Sequence, residues 1–215
     1  MRNMSGILVK TLELGALQTN CSVVSQTETK EAIVFDPADS ADLIEQYLKS
    51  NDLVCKAILL THGHFDHILA ARELATITGA AIYAQEEEAA LLANPNLNLS
   101  LKFSGKACSL TPDILLVDGQ MLDIAGFRIQ VIHTPGHTQG GACYHFVDHG
   151  VLISGDTLFL EEIGRADLPT GDYATLVEAI KAKLMLLEDS VVAYPGHGPS
   201  TTIGHERVNN SYLNL

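Results

Sequence analysis

Tryptophan is absent from the sequence, and aromatic residues of all kinds make up only 6% of its 215 positions. Cysteine is also scarce: Cys21, Cys55, Cys108 and Cys143 form no CxxC pair and show no other spacing typical of a zinc site. Cys55 opens an apolar run and Cys143 lies within another, so both are expected to be small buried hydrophobic residues. The cysteines therefore give no sign of a thiolate metal site, and a reduced, cytoplasmic protein is expected.

Basic residues are few, with 13 lysines and arginines against 26 acidic residues and a net charge of -13. A nucleic-acid-binding protein needs clustered Lys and Arg side chains to displace counterions, and the sequence has no such cluster. We therefore expect no nucleic-acid partner. The acidity is typical of a soluble protein surface that repels its own copies.

Long apolar runs are missing as well. No segment approaches the roughly 20 apolar residues that cross a bilayer, so we expect no membrane partner. Residues 1–6 contain no long apolar stretch after Arg2, which argues against a signal peptide. The sequence gives no indication of the oligomeric state.

The residues that are present have the pattern of an α/β protein. Apolar residues make up 47% and charged residues 18%, and no repeat or linker divides residues 1–215, so we expect one domain. Runs rich in β-branched residues predict strands, and apolar residues spaced three and four apart predict helices. In the first half these are strands at 7–14, 21–25, 32–35 and 57–60, and helices at 39–49, from 68 to near 79, and at 86–93.

The second half of the chain has similar content. Residues 94–113 are expected to form a loop with a short helix. Two halves of this kind favour two packed sheets with helices outside them, which is a four-layer arrangement. The predicted strands lie at 121–124, 127–132, 142–146, 151–154 and 191–193, and the predicted helices at 172–186 and 204–208.

A polar stretch follows directly after the strand predicted at 57–60. Its sequence, THGHFDH, places His62, His64, Asp66 and His67 within six residues. Residues 62 and 64 point to the same side of an extended chain and can hold one ion together. Asp66 and His67 are adjacent where a helix begins, so their side chains diverge and suit a second ion nearby. As an alternative, Asp66 caps that helix.

Three further residues of metal-binding type follow predicted strands by a turn that contains glycine. His137 lies in TPGHT, Asp156 in SGDT and His197 in PGHG. Glycine permits a close approach of the backbone, and loops at strand ends often carry functional groups. A single histidine of this kind is usually structural, but seven such residues at four strand ends predict a metal site.

The remaining histidines are expected to lie outside that site. His133 is a candidate partner for orienting a metal ligand, because ligating histidines need such partners. His145 and His149 flank an apparent hairpin turn, and His205 falls in the last predicted helix, so a structural role is expected for all three.

These motifs, in this order, resemble those of the metallo-β-lactamase superfamily. HxHxDH, TPGHT, SGD and the late PGHG together span most of the chain. The resemblance implies an α/β fold, a four-layer αββα sandwich with the metals at one edge of the sheets. It also implies one ion at His62, His64 and His137, a second at Asp66, His67 and His197, and Asp156 as the carboxylate that bridges them.

Within the superfamily the sequence is most similar to the glyoxalase II-like branch of small hydrolases. Asp156 distinguishes it from many β-lactamases, and His64 stands where diiron flavoprotein oxidases carry glutamate. The chain ends soon after His197, so we expect it to lack the C-terminal helical region of full glyoxalase II. Arg165 resembles a residue that contacts glutathione in that branch, and is either a substrate-binding residue or an ion-paired surface residue. Asp167 replaces the tyrosine expected nearby.

The resemblance implies a hydrolase with two divalent ions, for which zinc is favoured and iron or manganese are alternatives. A metal-bound hydroxide would attack a small thioester of the hydroxyacyl-thiol type, and Asp66 would take part in catalysis as well as in metal binding. A thiol has a reference pKa of about 8.5 and can leave as the thiolate. An amide nitrogen needs a general acid to leave. The chemistry therefore favours thioesters or lactones over amides.

The same residues leave other activities open. A persulfide dioxygenase with a single iron would use His62, His137 and Asp156. A lactone hydrolase would share all seven ligands and differ in its pocket. A metal-binding protein without catalysis is a third alternative, which the complete ligand set disfavours.

Overall fold

The computed structural model describes residues 6–213, and twelve strands and seven α-helices lie within that range. The expectation about a signal peptide falls mainly on residues 1–5, which lie outside it. No helix in the described part of the chain is long and apolar enough to cross a membrane.

The first sheet is formed by the N-terminal half of the chain. Its six strands are β1 (Ile7–Leu14), β2 (Thr19–Gln26), β3 (Glu31–Phe35), β4 (Val54–Leu59), β5 (Ala81–Gln85) and β6 (Ile114–Leu116). They are hydrogen-bonded in chain order. The pairs β1–β2 and β2–β3 are antiparallel, and β3 to β6 run parallel to one another.

The second sheet is formed by the C-terminal half. Its strands are β7 (Met121–Ile124), β8 (Phe127–His133), β9 (Ala142–Phe146), β10 (Val151–Gly155), β11 (Val192–Pro195) and β12 (Thr201–Thr202). They also pair in chain order. All neighbours are antiparallel except β10 and β11, which are parallel.

Helices connect these strands. They are α1 (Ala41–Ser50), α2 (Phe65–Ile68), α3 (Ala71–Thr78), α4 (Ala89–Ala93), α5 (Ser100–Phe103), α6 (Tyr173–Lys183) and α7 (Ile203–Asn209). A 3₁₀ turn, Glu86–Glu88, precedes α4, and another, Leu184–Leu186, follows α6.

Alternating side chains of the central strands build three apolar layers. In β3, Val34 packs with residues of α1 and α3, whereas Ile33 and Phe35 face the second sheet. The Phe35 ring lies 5.4 Å from that of Tyr144 in β9, centroid to centroid. A third cluster joins β10 to α6, where Leu152 packs with residues such as Ile180. This layering confirms the predicted four-layer αββα sandwich.

The structure differs from the sequence prediction at several short elements. Strands β5, β6 and β12 were not predicted. Strands β6 and β12 have only three and two residues, too few to show a period, and β5 (AIYAQ) shows no alternation of apolar and polar residues. The single helix expected after residue 67 is two helices, α2 and α3. The capping role considered for Asp66 is wrong, because α2 begins at Phe65 and Asp66 lies in its first turn. The loop with a short helix expected at 94–113 is confirmed, and the helix is α5.

Candidate metal centre

The candidate ligands lie at the carboxyl ends of β4, β8, β10 and β11. In the second sheet, β8 and β10 are both antiparallel to β9, and β10 is parallel to β11, so the three strands end at the same edge. The loop after β4 in the first sheet meets that edge, where the amide of Ala142 donates a hydrogen bond to the carbonyl of Thr61 at 2.8 Å. Strand direction therefore brings together residues that are far apart in sequence.

Three histidines form the first cluster: His62, His64 and His137. The Nδ1 atom of His64 lies 2.9 Å from Nε2 of His137, which lies 3.3 Å from Nε2 of His62. All three side chains are buried, and one nitrogen of each falls within a single 4.8 Å group. Three converging imidazole nitrogens are a common donor set for zinc and iron.

The second cluster contains Asp66, His67 and His197. The Oδ2 atom of Asp66 lies 3.5 Å from Nε2 of His67 and 3.4 Å from Nε2 of His197. These atoms also form one compact group of potential ligands. The cluster is less enclosed than the first, since the side chain of His197 is 31% exposed.

Asp156 lies between the two clusters. Its Oδ1 atom is 3.5 Å from Nε2 of His67, and its Oδ2 atom is 3.6 Å from Nε2 of His137. One carboxylate oxygen thus approaches each cluster. All seven residues singled out in the sequence therefore lie close together, with Asp156 near both clusters.

Burial and the proximity of the other histidines keep the three histidines of the first cluster neutral. Burial, followed by the neighbouring histidines, lowers the pKa of His62 well below its ordinary value and that of His64 to about 3. Burial also lowers the pKa of His137, although the charge of Asp156 opposes this. Neutral imidazole is the form that binds a metal ion, so these rings need lose no proton to do so.

Carboxylates have the opposite effect on the second cluster. Burial alone would lower the pKa of His67, but the charges of Asp156 and Asp66 and the hydrogen bond to Asp36 raise it to about 10. The pKa of His197 is raised against burial by its hydrogen bond to Asp66. The pKa of Asp66 is lowered against burial, mainly by His67, so its carboxylate is ionised.

Three buried polar atoms of the candidate ligands have no hydrogen-bond partner among the described residues. They are Nε2 of His64, Nε2 of His67 and Oδ1 of Asp156. An unpartnered buried polar group costs about 1–3 kcal/mol, and a cation between the clusters would satisfy the last two atoms. Together with the His and Asp donor set, these orphaned atoms show that the residues fit divalent ions.

Side chains and carbonyls that the sequence did not single out hold the ligands in place. Asp36 accepts hydrogen bonds from the Thr61 amide at 2.7 Å and the Thr61 hydroxyl at 2.6 Å, and its Oδ2 lies 2.9 Å from Nδ1 of His67. The carbonyl of Arg165 lies 2.7 Å from Nδ1 of His137. Thr19 donates to Asp66 at 2.9 Å. Such partners fix the orientation of each ligand.

Asp36 carried a signal that could have identified it. It follows the buried strand β3, as the ligands follow theirs, but its neighbour Pro37 made a simple turn the natural interpretation. Its φ of 47° is uncommon for a residue other than glycine, and the bonds to Thr61 and His67 hold it there.

Close packing around the centre also explains one of the glycines. A Cβ atom at Gly196 would lie 2.2 Å from Oδ1 of Asp156 and 2.7 Å from Cε1 of His67. No side chain fits there without displacing these two residues, so the glycine next to His197 is needed for the approach of β11 to the other loops.

The remaining histidines lie outside both clusters. His133 was a candidate for orienting a ligand, but its Nε2 lies 2.9 Å from the carbonyl of Gln139, so it braces the loop that carries His137 rather than a ligand side chain. His205 lies 2.9 Å from Glu161, and the rings of His149 and Phe127 are in edge contact. His145 is buried in β9.

A cavity of about 610 Å³ opens beside the clusters. His64, Asp66, His137, Asp156 and His197 all contribute to its lining. The rest of the wall is mainly apolar, and includes Leu17, Phe65, Leu99, Phe103, Ile163 and Leu168.

Arg165 is a cation on the wall of this cavity. Its guanidinium is exposed and makes two hydrogen bonds to the carboxylate of Asp167, at 2.7 and 2.8 Å. The structure thus places Arg165 at the cavity, as expected of a substrate-binding residue, and also in the ion pair that was the alternative. Arg165 therefore lines the cavity and forms an ion pair with Asp167 at the same time.

Comparisons with known proteins agree with this geometry. The family model described as the metallo-beta-lactamase superfamily matches residues 14–197. Hydroxyacylglutathione hydrolase GloC of Haemophilus influenzae is 36% identical over 208 residues, which are 96% of this chain and 98% of that protein. The solved structure of the BLEG-1 B3 metallo-beta-lactamase has a TM-score of 0.92 and 38% identity, and covers 97% of this chain and 100% of its own. TTHA1623, solved in a di-iron-bound form, has a TM-score of 0.84 and 31% identity, with 95% and 100% covered.

Proposed function

The chain belongs to the metallo-β-lactamase superfamily, and we propose that it is a metal-dependent hydrolase of small thioesters of the hydroxyacyl-thiol type. One observation carries the proposal: two ligand clusters share the carboxylate of Asp156 at the wall of an apolar cavity. The name of the relative GloC, a hydroxyacylglutathione hydrolase, supports the thioester class.

Each of the two clusters would hold one divalent ion. His62, His64 and His137 would hold one divalent ion, Asp66, His67 and His197 would hold the other, and Asp156 would contact both. Bound divalent ions supply Lewis acidity, which activates water near neutral pH and polarises a carbonyl group. Zinc suits this donor set, and iron and manganese are the alternatives.

Neighbouring groups orient the ligands by hydrogen bonds. Asp36 holds the ring of His67, and the carbonyl of Arg165 holds that of His137. Asp66 also lines the cavity, so we propose it as the carboxylate that contacts the reacting groups as well as an ion. The apolar walls exclude water from a bound acyl group and strengthen electrostatic interactions there.

The leaving group favours a thioester. Among the described residues the cavity lining contains Glu162 but no lysine or tyrosine, so an amide nitrogen would depend on Glu162 or on a candidate metal ligand for its proton. A thiolate needs no such proton because its reference pKa is about 8.5. Thioesters and lactones therefore suit the site better than amides.

Arg165 is the proposed contact for the carrier portion of the substrate. Because Asp167 forms an ion pair with it, its attraction for an anionic carrier such as glutathione is reduced. We therefore propose that the enzyme accepts thiol carriers of low charge alongside glutathione.

A panel of substrates tests the proposal. Protein purified and loaded separately with Zn²⁺, Mn²⁺ or Fe²⁺ is assayed with hydroxyacyl conjugates of glutathione, coenzyme A and an uncharged small thiol, and with a lactone. We expect thiol release at a kcat of about 1 s⁻¹ or more for at least one conjugate, within the usual enzymatic range. The Asp156→Ala variant is the control. No thiol release with any metal would contradict the proposal.

Metal content and oxygen uptake distinguish the dioxygenase alternative. A mononuclear iron enzyme would use only His62, His137 and Asp156 and would retain the residues of the second cluster, so the ligand set is common to both activities. For the proposed hydrolase we expect two metal equivalents per chain by elemental analysis and no oxygen uptake with a persulfide. One iron per chain with oxygen consumption would instead favour the dioxygenase.

A further inference from the structure

Glu88 is a buried acid that the proposed chemistry does not use. It ends the 3₁₀ turn Glu86–Glu88 and immediately precedes α4. Its neighbours Glu86 and Glu87 are exposed, but Glu88 itself is only 1% exposed. Acidic residues are rarely buried to this degree unless they are paired, so its environment calls for an explanation.

Its carboxylate connects two loops of the first cluster. Oε1 accepts a hydrogen bond from the amide of Gly63, and Oε2 accepts one from the amide of Gly140, both at 2.7 Å. Gly63 lies between His62 and His64, and Gly140 lies three residues after His137. One side chain therefore links the loop that supplies two of the histidines to the loop that supplies the third.

Backbone packing brings the same segments together independently of these hydrogen bonds. A Cβ atom at Gly140 would lie 2.1 Å from the amide nitrogen of Glu88. A Cβ atom at Gly63 would lie 2.7 Å from Leu91 and 2.9 Å from Leu92. Both loops pack directly against the segment 86–92, so a displacement of that segment would also displace both loops.

The chemistry of this contact requires a carboxylate. Two backbone amide donors converge on the side chain, one on each carboxylate oxygen. Burial raises the pKa of Glu88 to about 7, although these hydrogen bonds favour the ionised form. An amide side chain would offer one oxygen and turn an NH₂ group toward the other donor, which would leave that donor unsatisfied.

The second cluster is held by different groups. Asp36 contacts His67, and Thr19 contacts Asp66. The amide of Gly196, next to His197, donates to the carbonyl of Gly155. Loss of the Glu88 contacts should therefore act mainly on the first cluster.

We infer that Glu88 is a positioning residue for the first cluster: by tying the loop of His62 and His64 to the loop of His137, it sets the affinity of the metal ion held there. The inference rests on the metal centre of the proposed function. Glu88 touches neither the ion nor the substrate. It acts through the backbone that carries the ligands, and groups of this kind typically change metal affinity by about 10- to 100-fold.

Metal affinity measured one cluster at a time tests this inference. Metal-free protein is titrated with Zn²⁺ in competition with a chromophoric chelator. In an Asp66→Ala/His197→Ala background, which removes two of the three ligands of the second cluster, only the first cluster is complete, and in a His62→Ala background only the second is. We expect Glu88→Gln to weaken Zn²⁺ binding about 10- to 100-fold in the first background and by less than about threefold in the second.

Glu206 provides a matched control. It is also fully buried, and it accepts hydrogen bonds from the amide of Glu161 and from the side chains of Thr201 and Asn210, away from both clusters. Glu206→Gln should lower the melting temperature without changing Zn²⁺ affinity in either background. Glu88→Asp keeps two acceptor oxygens, so it should restore part of the affinity, and it serves as the second variant if Glu88→Gln does not fold.

Two results would overturn the inference. One is unchanged first-cluster affinity in Glu88→Gln or, where only it folds, in Glu88→Asp. The other is equal weakening of both clusters, matched by Glu206→Gln, which would show a general loss of stability. Because the readout is Zn²⁺ binding, an absence of thioester turnover would count against the proposed function and leave this inference intact.

Discussion

The two ligand clusters lie side by side but attract a cation in different ways. The first has three buried histidines whose pKa values are lowered, and it draws on the shared carboxylate of Asp156. The second adds the ionised Asp66 and includes the partly exposed His197. Coulomb attraction is strong in a poorly solvated site, so charge favours an ion at the second cluster.

The first cluster depends instead on placement. Three neutral rings bind an ion well only when their nitrogens converge. His137 donates a hydrogen bond to the carbonyl of Arg165, and His62 lies within hydrogen-bond distance of the hydroxyl of Thr61. Glu88 ties together the loops that carry the three rings. At one edge of the two sheets, therefore, the second cluster would attract a cation mainly by charge and the first mainly by the placement of neutral ligands. Variants that change charge and variants that change placement should therefore affect different clusters.

The largest effect is expected where the clusters meet. Asp156→Ala removes the carboxylate shared by both, so both ions should bind more weakly. Loss of metal catalysis removes several kcal/mol of transition-state stabilisation, which is about 1,000-fold or more in kcat. Elemental analysis and thioester turnover measure the two effects. If one equivalent stayed bound with wild-type affinity, Asp156 would not be shared.

Single-cluster variants should separate the two sites. His62→Ala removes a buried ligand that water cannot easily replace, and we expect Zn²⁺ affinity at the first cluster to fall about 100-fold, or about 3 kcal/mol. His197→Ala leaves an exposed position that water can fill, so a smaller loss of about 10-fold is expected at the second cluster. Competition titration of each variant measures both. Equal losses would mean that exposure does not distinguish the clusters.

A change outside the ligands should act on the second cluster through His67. Asp36→Asn removes the charge that orients this ring while keeping the size of the side chain. We expect Zn²⁺ affinity at the second cluster to fall about 10- to 100-fold. The bonds of Asp36 to Thr61 make some effect on the first cluster possible, and it should be smaller. The reverse order, measured in the two single-cluster backgrounds, would contradict the assignment.

The smallest effect is expected outside both clusters. Asp167→Asn frees the guanidinium of Arg165, while both ions should bind as in the wild type. Exposed ion pairs are worth about 0–1 kcal/mol, so kcat/KM for an anionic glutathione conjugate should rise by at most about fivefold relative to an uncharged conjugate. Arg165→Ala should remove this gain. A double variant that keeps the gain would show that Arg165 does not contact the carrier.

The sequence was sufficient to single out the candidate ligands because each has a local signal. Residues such as His62 and His137 lie in a turn shortly after an apolar strand, where histidine has no structural necessity. Glu88 had no comparable signal, because it lies in a run of three glutamates whose other two members are exposed. The role of the Arg165 carbonyl was also hidden, since any residue type supplies a carbonyl.

The short strands show the same limit in the fold. Strand β6 has three residues, Ile114–Leu116, and exists because β5 offers it a parallel partner. Such a run has too little periodicity to be identified alone. The longer strands and helices were predicted because their apolar spacing repeats several times.

By itself, therefore, the sequence determined the order of the longer strands and helices, the residue types of the candidate metal centre and the strand ends that carry them. Only the tertiary structure decided which nitrogen atoms converge, which pKa values rise or fall, and which carboxylates hold ligands in place. The reason is that these properties arise from contacts between residues distant in sequence, such as His62 with His137, separated by 75 positions, and Glu88 with Gly140, separated by 52. Local patterns cannot encode the burial and distances that such contacts create.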